Sequence, residues 1–242
     1  MPRTQDPEAI PQRLVAAGLD LFLRQGYNAT GIQEIADRAR VPKGSFYNHF
    51  ESKDAFAAVI VGRYSDWMQR SWARMMLSAP RTPMAAIRHV FAEMILYHER
   101  TPSAVGCLIG NFAAEIASSS PLCRKSLMAA QLGWRQRLSG LITAGQAVGE
   151  IRTDIDAMTL SALTWSAWEG ALLRVKVEGT VDPLRDTTEL MMDKIYPPPA
   201  SLRAHTPEAC ASTPTVGDNQ DAPHKPAAHT LVRVPNLKSR SQ

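Results

Sequence analysis

Between residues 43 and 53 the chain gathers side chains suited to a nucleic-acid groove: Lys43, Ser45, Tyr47, Asn48, His49 and Lys53. Lysine, serine and tyrosine donate to phosphate oxygens, and asparagine and histidine reach base edges. Phe46 and Phe50 are interleaved four residues apart. At 100° per residue they fall together with Val41 on one side of a short helix. Gly44, Ser45, Asn48 and His49 point the other way, with Lys43 and Tyr47 at the flank. Gly44 adds no side chain, so this helix can lie close to a sugar-phosphate backbone. His49 alone says little, because an isolated exposed histidine is usually just solvated; the sided combination carries the signal.

Other chemistries are poorly represented. The three cysteines, Cys107, Cys123 and Cys210, are few and unpatterned, which argues against a disulfide framework or a zinc site. There is no metal-spaced His/Cys cluster, phosphate loop or Gly-x-Ser-x-Gly elbow. The expectation is a non-enzyme with no catalytic residue, metal or cofactor. No apolar run approaches the roughly 18 residues needed to span a bilayer, and the N-terminus lacks the apolar stretch of a secretory signal. A cytoplasmic protein without membrane contact is expected.

The polar helix needs elements to hold it. Leu14, Gly18, Leu21 and Phe22 form the stripe of a first helix, and Ile32, Ile35, Ala36 and Ala39 that of a second. Gly26 can end the first helix at positive φ without steric cost. Thr30 is placed to cap the second, and Ala36 lets two helices approach closely. Pro42 can open the third helix, where its missing N–H loses nothing. Ser52 can cap a fourth running toward Leu77. Further helices are expected at about 83–100, 106–119, 121–149, 154–178 and 182–195, divided by Pro and Gly.

The fold class is therefore all-α: a three-helix helix-turn-helix unit, a larger helical domain and a disordered C-terminal tail. The expected divisions are a flexible start at 1–9, the DNA-binding unit at 10–55, a helical domain at 56–196 and a Pro-rich tail at 197–242. Eight of the 17 prolines fall in that last segment, which has no Trp, Tyr or Phe to bury. Charge gives a warning: the net charge is +4, but residues 1–60 carry seven Lys/Arg and seven Asp/Glu. Attraction to DNA must come from where the charges sit.

The stretch TGIQEIADRARVPKGSFYNHFESKDAF, residues 30–56, resembles the signature of the TetR family of transcriptional repressors. The resemblance implies groove and backbone contacts by Thr30, Gln33, Lys43, Gly44, Ser45, Tyr47, Asn48 and His49, and a phosphate contact by Lys53. One departure is Arg40, where the family usually has glycine; the turn then requires left-handed geometry of a residue with a side chain. Two later stretches, GCLIGNFAAEIASSSPLCRKSL and SAWEGALLRVKVEGTVDPL, are similar to the acrylate- and electrophile-responsive branch. The resemblance implies a homodimer on a near-palindromic operator, released by a small-molecule inducer.

In the larger domain, Phe91, Met94, His98, Cys107, Asn111, Trp134 and Trp168 are candidates to line an inducer pocket, with Phe112, Met128 and Trp165 beside them and Glu169 as a further polar group. Plain core packing of the aromatics is the competing reading. Cys107 can be a reactive thiol that senses electrophiles or a small buried apolar residue. Ala162, Ser166, Ala167, Gly170 and Ala171, bordered by Leu163 and Leu173, form a small-residue face. It suits packing against a symmetry mate or within one subunit. A helical protein-interaction module without DNA binding is the alternative outside gene regulation.

Overall fold

The computed structural model describes residues 9–101 and 106–199; most of the expected flexible start and tail lie outside them. Nine α-helices follow in order: α1 Ile10–Gln25, α2 Ile32–Ala39, α3 Lys43–Tyr47, α4 Lys53–Leu77, α5 Pro83–Arg100, α6 Leu108–Glu115, α7 Pro121–Ala147, α8 Ala157–Glu178 and α9 Asp182–Leu190. A single π-helical turn, Met191–Ile195, extends α9. The all-α expectation holds, and no strand occurs among the described residues.

Capping explains most boundaries. Ser52, Ser120 and Asp156 each accept from the backbone N–H three residues on, opening α4, α7 and α8. Gly179, at φ 74 and ψ 10, closes α8 in the left-handed region. Two starts come later than the pattern suggested. Cys107 and Asp156 are extended caps, so helix begins at Leu108 and Ala157 instead of near 106 and 154. Thr30 does not cap α2. Gly31, at φ −91 and ψ 152, takes the cap position, and the buried Thr30 hydroxyl instead donates to the Gly26 carbonyl at 2.7 Å. Its proton goes to a carbonyl just past the end of α1, four residues back.

The first three helices pack around the start of α4. Phe56, fully buried, meets Phe46 at 5.0 Å, Phe50 at 4.7 Å and Phe22 at 6.0 Å between ring centroids. The long helices α4, α5, α7 and α8 enclose a second set of rings: Trp134 lies 6.4 Å from Trp72, 6.2 Å from Phe91 and 5.0 Å from Trp165. α9 lies against α5 and α8, and Arg88 of α5 ties down the π turn by donating to Met192 O and pairing with Asp193. Tyr196 ends this core, fully buried, with its hydroxyl 2.7 Å from Thr164 Oγ1 and its carbonyl accepting from Arg152 N at 2.8 Å.

The approach of α1 to α4 depends on Gly18. A Cβ there would stand 2.4 Å from Cε1 and Cζ of Phe56, a ring wedged among three others. Gly18→Ala is expected to cost about 1–3 kcal/mol by overpacking, read as a lowered denaturation midpoint at unchanged m-value.

Candidate functional site

The turn between α2 and α3 is fixed by backbone geometry. Arg40 sits at φ 56 and ψ 47 and is the single non-glycine residue at positive φ among those described. Its N–H donates to Asp37 O at 2.9 Å, and Val41 N donates to Ala36 O at 3.0 Å, the paired closure of a left-handed helix end. The side chain of Arg13 reaches across from α1 and donates to the carbonyls of Ala39 and Arg40. Asp20, buried on α1, is gripped by Arg24 and by Arg38 of α2. α1 thus braces the end of α2 and the turn after it at two points. Neither strut was apparent in the sequence, because each joins residues 18 or more apart with no periodic pattern.

α3 has only five residues and stands on Phe46, which is fully buried, with Val41 buried and Phe50 half-buried beside it. Lys43, Gly44, Tyr47, Asn48 and His49 are all exposed on the opposite side, and Ser45 is half-buried. Gln33 is exposed on α2, with its amide donating to Asp37 at 2.8 Å. No side chain is pressed on Gly44, where an added Cβ would meet open space.

Two expected contact residues lie elsewhere. Thr30 is buried, as described above. Lys53, at the first turn of α4, places its ammonium 4.0 Å over the Tyr27 ring instead of projecting freely. Burial pulls its pKa down, opposed by the nearby charges of Glu115 and Asp54.

Lys53 belongs to a junction between the first helices and the larger bundle. Glu115, at the end of α6, accepts from Asn28 N at 2.7 Å. Its carboxylate fills the place of a side chain at Gly26: a Cβ there would lie 2.3 Å from Glu115 Oε1, at a φ of 81. With ψ at 179, Gly26 is in a positive-φ extended region open essentially to glycine alone. Tyr27 donates to Asp54, whose carbonyl accepts from Cys123 Sγ at 3.3 Å. Phe112 of α6 closes the junction, 5.1 Å from Phe22 and 5.8 Å from Tyr27.

Sequence comparison matches residues 14–60 to the family of bacterial regulatory proteins, tetR family, and residues 83–191 to the tetracyclin repressor-like C-terminal domain. The HTH-type transcriptional repressor DhaR of a Mycobacterium species is 34% identical over 188 residues, covering 78% of this chain and 93% of that protein. The chain belongs to the TetR family. The transcriptional regulator AcuR of Cereibacter sphaeroides is 32% identical, covering 78% of this chain and 94% of that one. Among solved structures, a regulatory protein TetR from Rhodobacter sphaeroides superposes with a TM-score of 0.70 at 33% identity, covering 76% of this chain and 97% of that one.

In this TetR-family chain the expected inducer-pocket residues are largely packed. Phe91, Trp134 and Trp168 are buried against one another, with Phe91 and Trp168 at 5.3 Å and His98 and Trp168 at 6.1 Å. Met94 is half-buried on the same core. Two accompanying candidates do not belong: Met128 is 64% exposed on α7, and Phe112 faces the junction. Asn111 is engaged by Lys176, whose ammonium donates to it at 2.6 Å. Ala171 points into the subunit, 3% exposed, and leaves the proposed small-residue face to Ser166 and Gly170. α8 places its inward stripe at Leu160, Thr164, Trp168, Ala171 and Val175, which fixes Ala171 inside.

A cleft of about 380 Å³ instead opens between α6, α7 and α8 beside Trp165, with Glu169 and Arg135 in its wall. Arg135 and Gln131 escaped notice in the sequence, because polar residues on a long helix ordinarily read as its wet side. Glu169 Oε2 lies against α6 because Gly110 has no side chain; a Cβ there would be 2.1 Å away. Burial raises the Glu169 pKa to about 7, with the Cys107 hydrogen bond and Lys176 pulling it back. Cys107 is buried too; burial pushes its thiol pKa well up, and the charge of Glu169 adds to this. A protonated thiol is a poor nucleophile, so the packing favours the apolar reading of Cys107. His98 is pulled down to about 4 by burial, and its Nδ1 has no hydrogen-bond partner.

These two buried groups act oppositely on stability. Glu169 titrates from 4.5 when unfolded to about 7 when folded, so its contribution falls as pH rises through that window. His98 moves from 6.5 to about 4, so its contribution is lost as pH falls. The slopes oppose each other between pH 4.5 and 6.5. Against wild type, Glu169→Gln should make the melting temperature rise more steeply with pH across that window, and His98→Gln less steeply. Parallel curves for all three proteins would contradict the assignment.

Proposed function

We propose that the protein is a homodimeric repressor that reads a near-palindromic operator through two copies of α3 and is released by a small molecule. The observation that carries this is the α3 face: Lys43, Gly44 and Tyr47 on the helix and Asn48 and His49 in the turn that ends it are exposed together over the fully buried Phe46. A polar set turned to solvent, with only Tyr47 and His49 touching the Phe46 and Phe50 rings, on a helix seated on Phe46 after a turn braced by Arg13, fits a groove. Lys43, Ser45 and Tyr47 serve phosphate and backbone, while Asn48 and His49 approach base edges. Gln33 supports contact from α2. Thr30 and Lys53 act from behind, shaping the turn and the junction.

Dimerisation is supported by apolar side chains left in solvent on α7 and α8. Leu163, Leu173 and Val177 on α8 and Met128 and Leu132 on α7 are exposed. Leu163, Ser166, Gly170, Leu173 and Val177 recur at helical spacing along one face of α8. A two-fold pairing on that face sets two recognition helices about 34–36 Å apart, one turn of DNA. The route from ligand to DNA runs through α6, which abuts Glu169 at Gly110 and the α1–α2 loop at Glu115. A ligand that favours a second position of α6 shifts the head by differential affinity alone.

A gel shift on the protein's own upstream DNA tests this. Specific binding should weaken steeply with salt, and Lys43→Ala should lower the log–log salt slope by about one. Asn48→Ala should cost about 1–3 kcal/mol on the operator and little on random DNA. Absence of specific binding at any salt overturns the reading and leaves a protein-interaction module. Leu163→Glu combined with Leu173→Glu should yield a folded monomer in sedimentation that binds the operator at least tenfold more weakly. Glu115→Gln should leave the fold intact while changing the effector concentration needed for release.

A further inference from the structure

The cleft between α6, α7 and α8 contains two buried polar atoms with no hydrogen-bond partner in the structure. Glu169 Oε1 is an acceptor without a donor, and Arg135 Nε–H is a donor without an acceptor. Both residues line the same cleft, with Gln131 and Ser166 beside them and the Trp165 ring as its apolar wall. An orphaned buried polar group costs about 1–3 kcal/mol, more when it carries charge, so two in one cleft call for an occupant.

Within one subunit the protein's own groups do not meet the need; Ser166 is shared with the α8 face assigned to the symmetry mate. Glu169 and Arg135 form no ion pair with each other at 4 Å or less. Lys176, the cation acting on Glu169 along α8, is turned to Asn111. Cys107 hydrogen-bonds Glu169 from the α6 side, but a thiol is a weak donor. Tyr64 of α4 hydrogen-bonds Cys107 and stands behind it. The unmatched groups are therefore one carboxyl oxygen and one cationic donor, facing about 380 Å³ of space, room for a molecule of amino-acid size.

We propose that this cleft is a ligand site for a compact zwitterion, its carboxylate on Arg135 and its ammonium on Glu169. Guanidinium and carboxylate form the stronger charge-assisted pair, and the ammonium supplies the donor that Glu169 lacks. Trp165 covers the carbon chain between the two ends. Gly110 admits the arrangement, since any side chain there displaces the Glu169 carboxylate. Because Gly110 lies on α6, occupancy bears directly on the helix that ends at Glu115. This role as the effector site rests on the repressor reading above; the binding itself does not.

The test uses the purified full chain and a series of ω-amino acids: glycine, β-alanine, 4-aminobutyrate and 6-aminohexanoate. Butyrate and butylamine serve as single-charge controls. One member of the series, whose charge separation matches the cleft, should raise the melting temperature and give a calorimetric binding isotherm, while both controls give neither. Arg135→Gln, Glu169→Gln and Gly110→Ala should each weaken that binding at least tenfold while still shifting operator DNA, which shows that they are folded. Binding by none of the series overturns the proposal. So does equal binding of butyrate or butylamine, or binding unchanged in the three variants. Zwitterion binding that leaves the operator complex intact supports the site and overturns its role in release.

Discussion

A five-residue helix cannot hold itself together in water, because nucleation costs more than so few hydrogen bonds return. α3 therefore exists through Phe46, and Phe46 is held by Phe56. That one ring also bears on Phe22 and Phe50 and closes over Gly18, so α1, the turn and α3 share a single point of support. Phe56 is itself in the first turn of α4, a 25-residue helix that runs on into the second core. The exposed face of α3 is thus mounted on an element of the bundle. Its orientation follows α4, which is why a change among the later helices can reach it.

A second connection gives such a change a direction. The junction around Gly26 is made of short polar contacts: Glu115 on Asn28, Tyr27 on Asp54, Cys123 on the Asp54 carbonyl, Lys53 over Tyr27. Polar contacts at a half-exposed seam have a narrow geometric range and can be exchanged for water at modest net cost. The Phe56 core is apolar and tightly closed, so displacing it is far more expensive. Movement of the head is expected to break the junction before it loosens the core, making Glu115 and Asp54 the exchangeable contacts and Phe56 the pivot.

Much of this was legible in the residue pattern. The 3.6-residue repeat of Ile32, Ile35, Ala36 and Ala39, the Phe46–Phe50 pair and the Ser52 cap each state a local rule that the fold obeys. The left-handed Arg40 followed from the family resemblance, as a side chain where that family usually has glycine. The cap of α2 was misplaced by one residue, because Thr30 answers a carbonyl just past the end of α1, which no local pattern contains. Arg13, Asp20 and Glu115 were illegible for the same reason: each joins segments distant in sequence. For the aromatics the pattern left two readings open, pocket wall or plain core. Phe91 meets Trp134 and Trp168 edge to face, while the cleft opens beside Trp165, where Glu169 and Arg135 stand.

That last point bears on why the polar cleft persists. Replacing Arg135 and Glu169 with apolar residues of similar volume would remove two unsatisfied groups and, by analogy with other buried charges, is often neutral or stabilising. Gly110 points the same way. A glycine inside an eight-residue helix costs roughly 0.5–1 kcal/mol against alanine, and here its sole structural effect is to let the Glu169 carboxylate reach the α6 backbone. Folding alone would favour alanine in place of Gly110, facing an apolar partner. Three residues that each weaken the free protein and converge on one space make sense when the energy is recovered in a complex, as binding energy that α6 can carry to the junction.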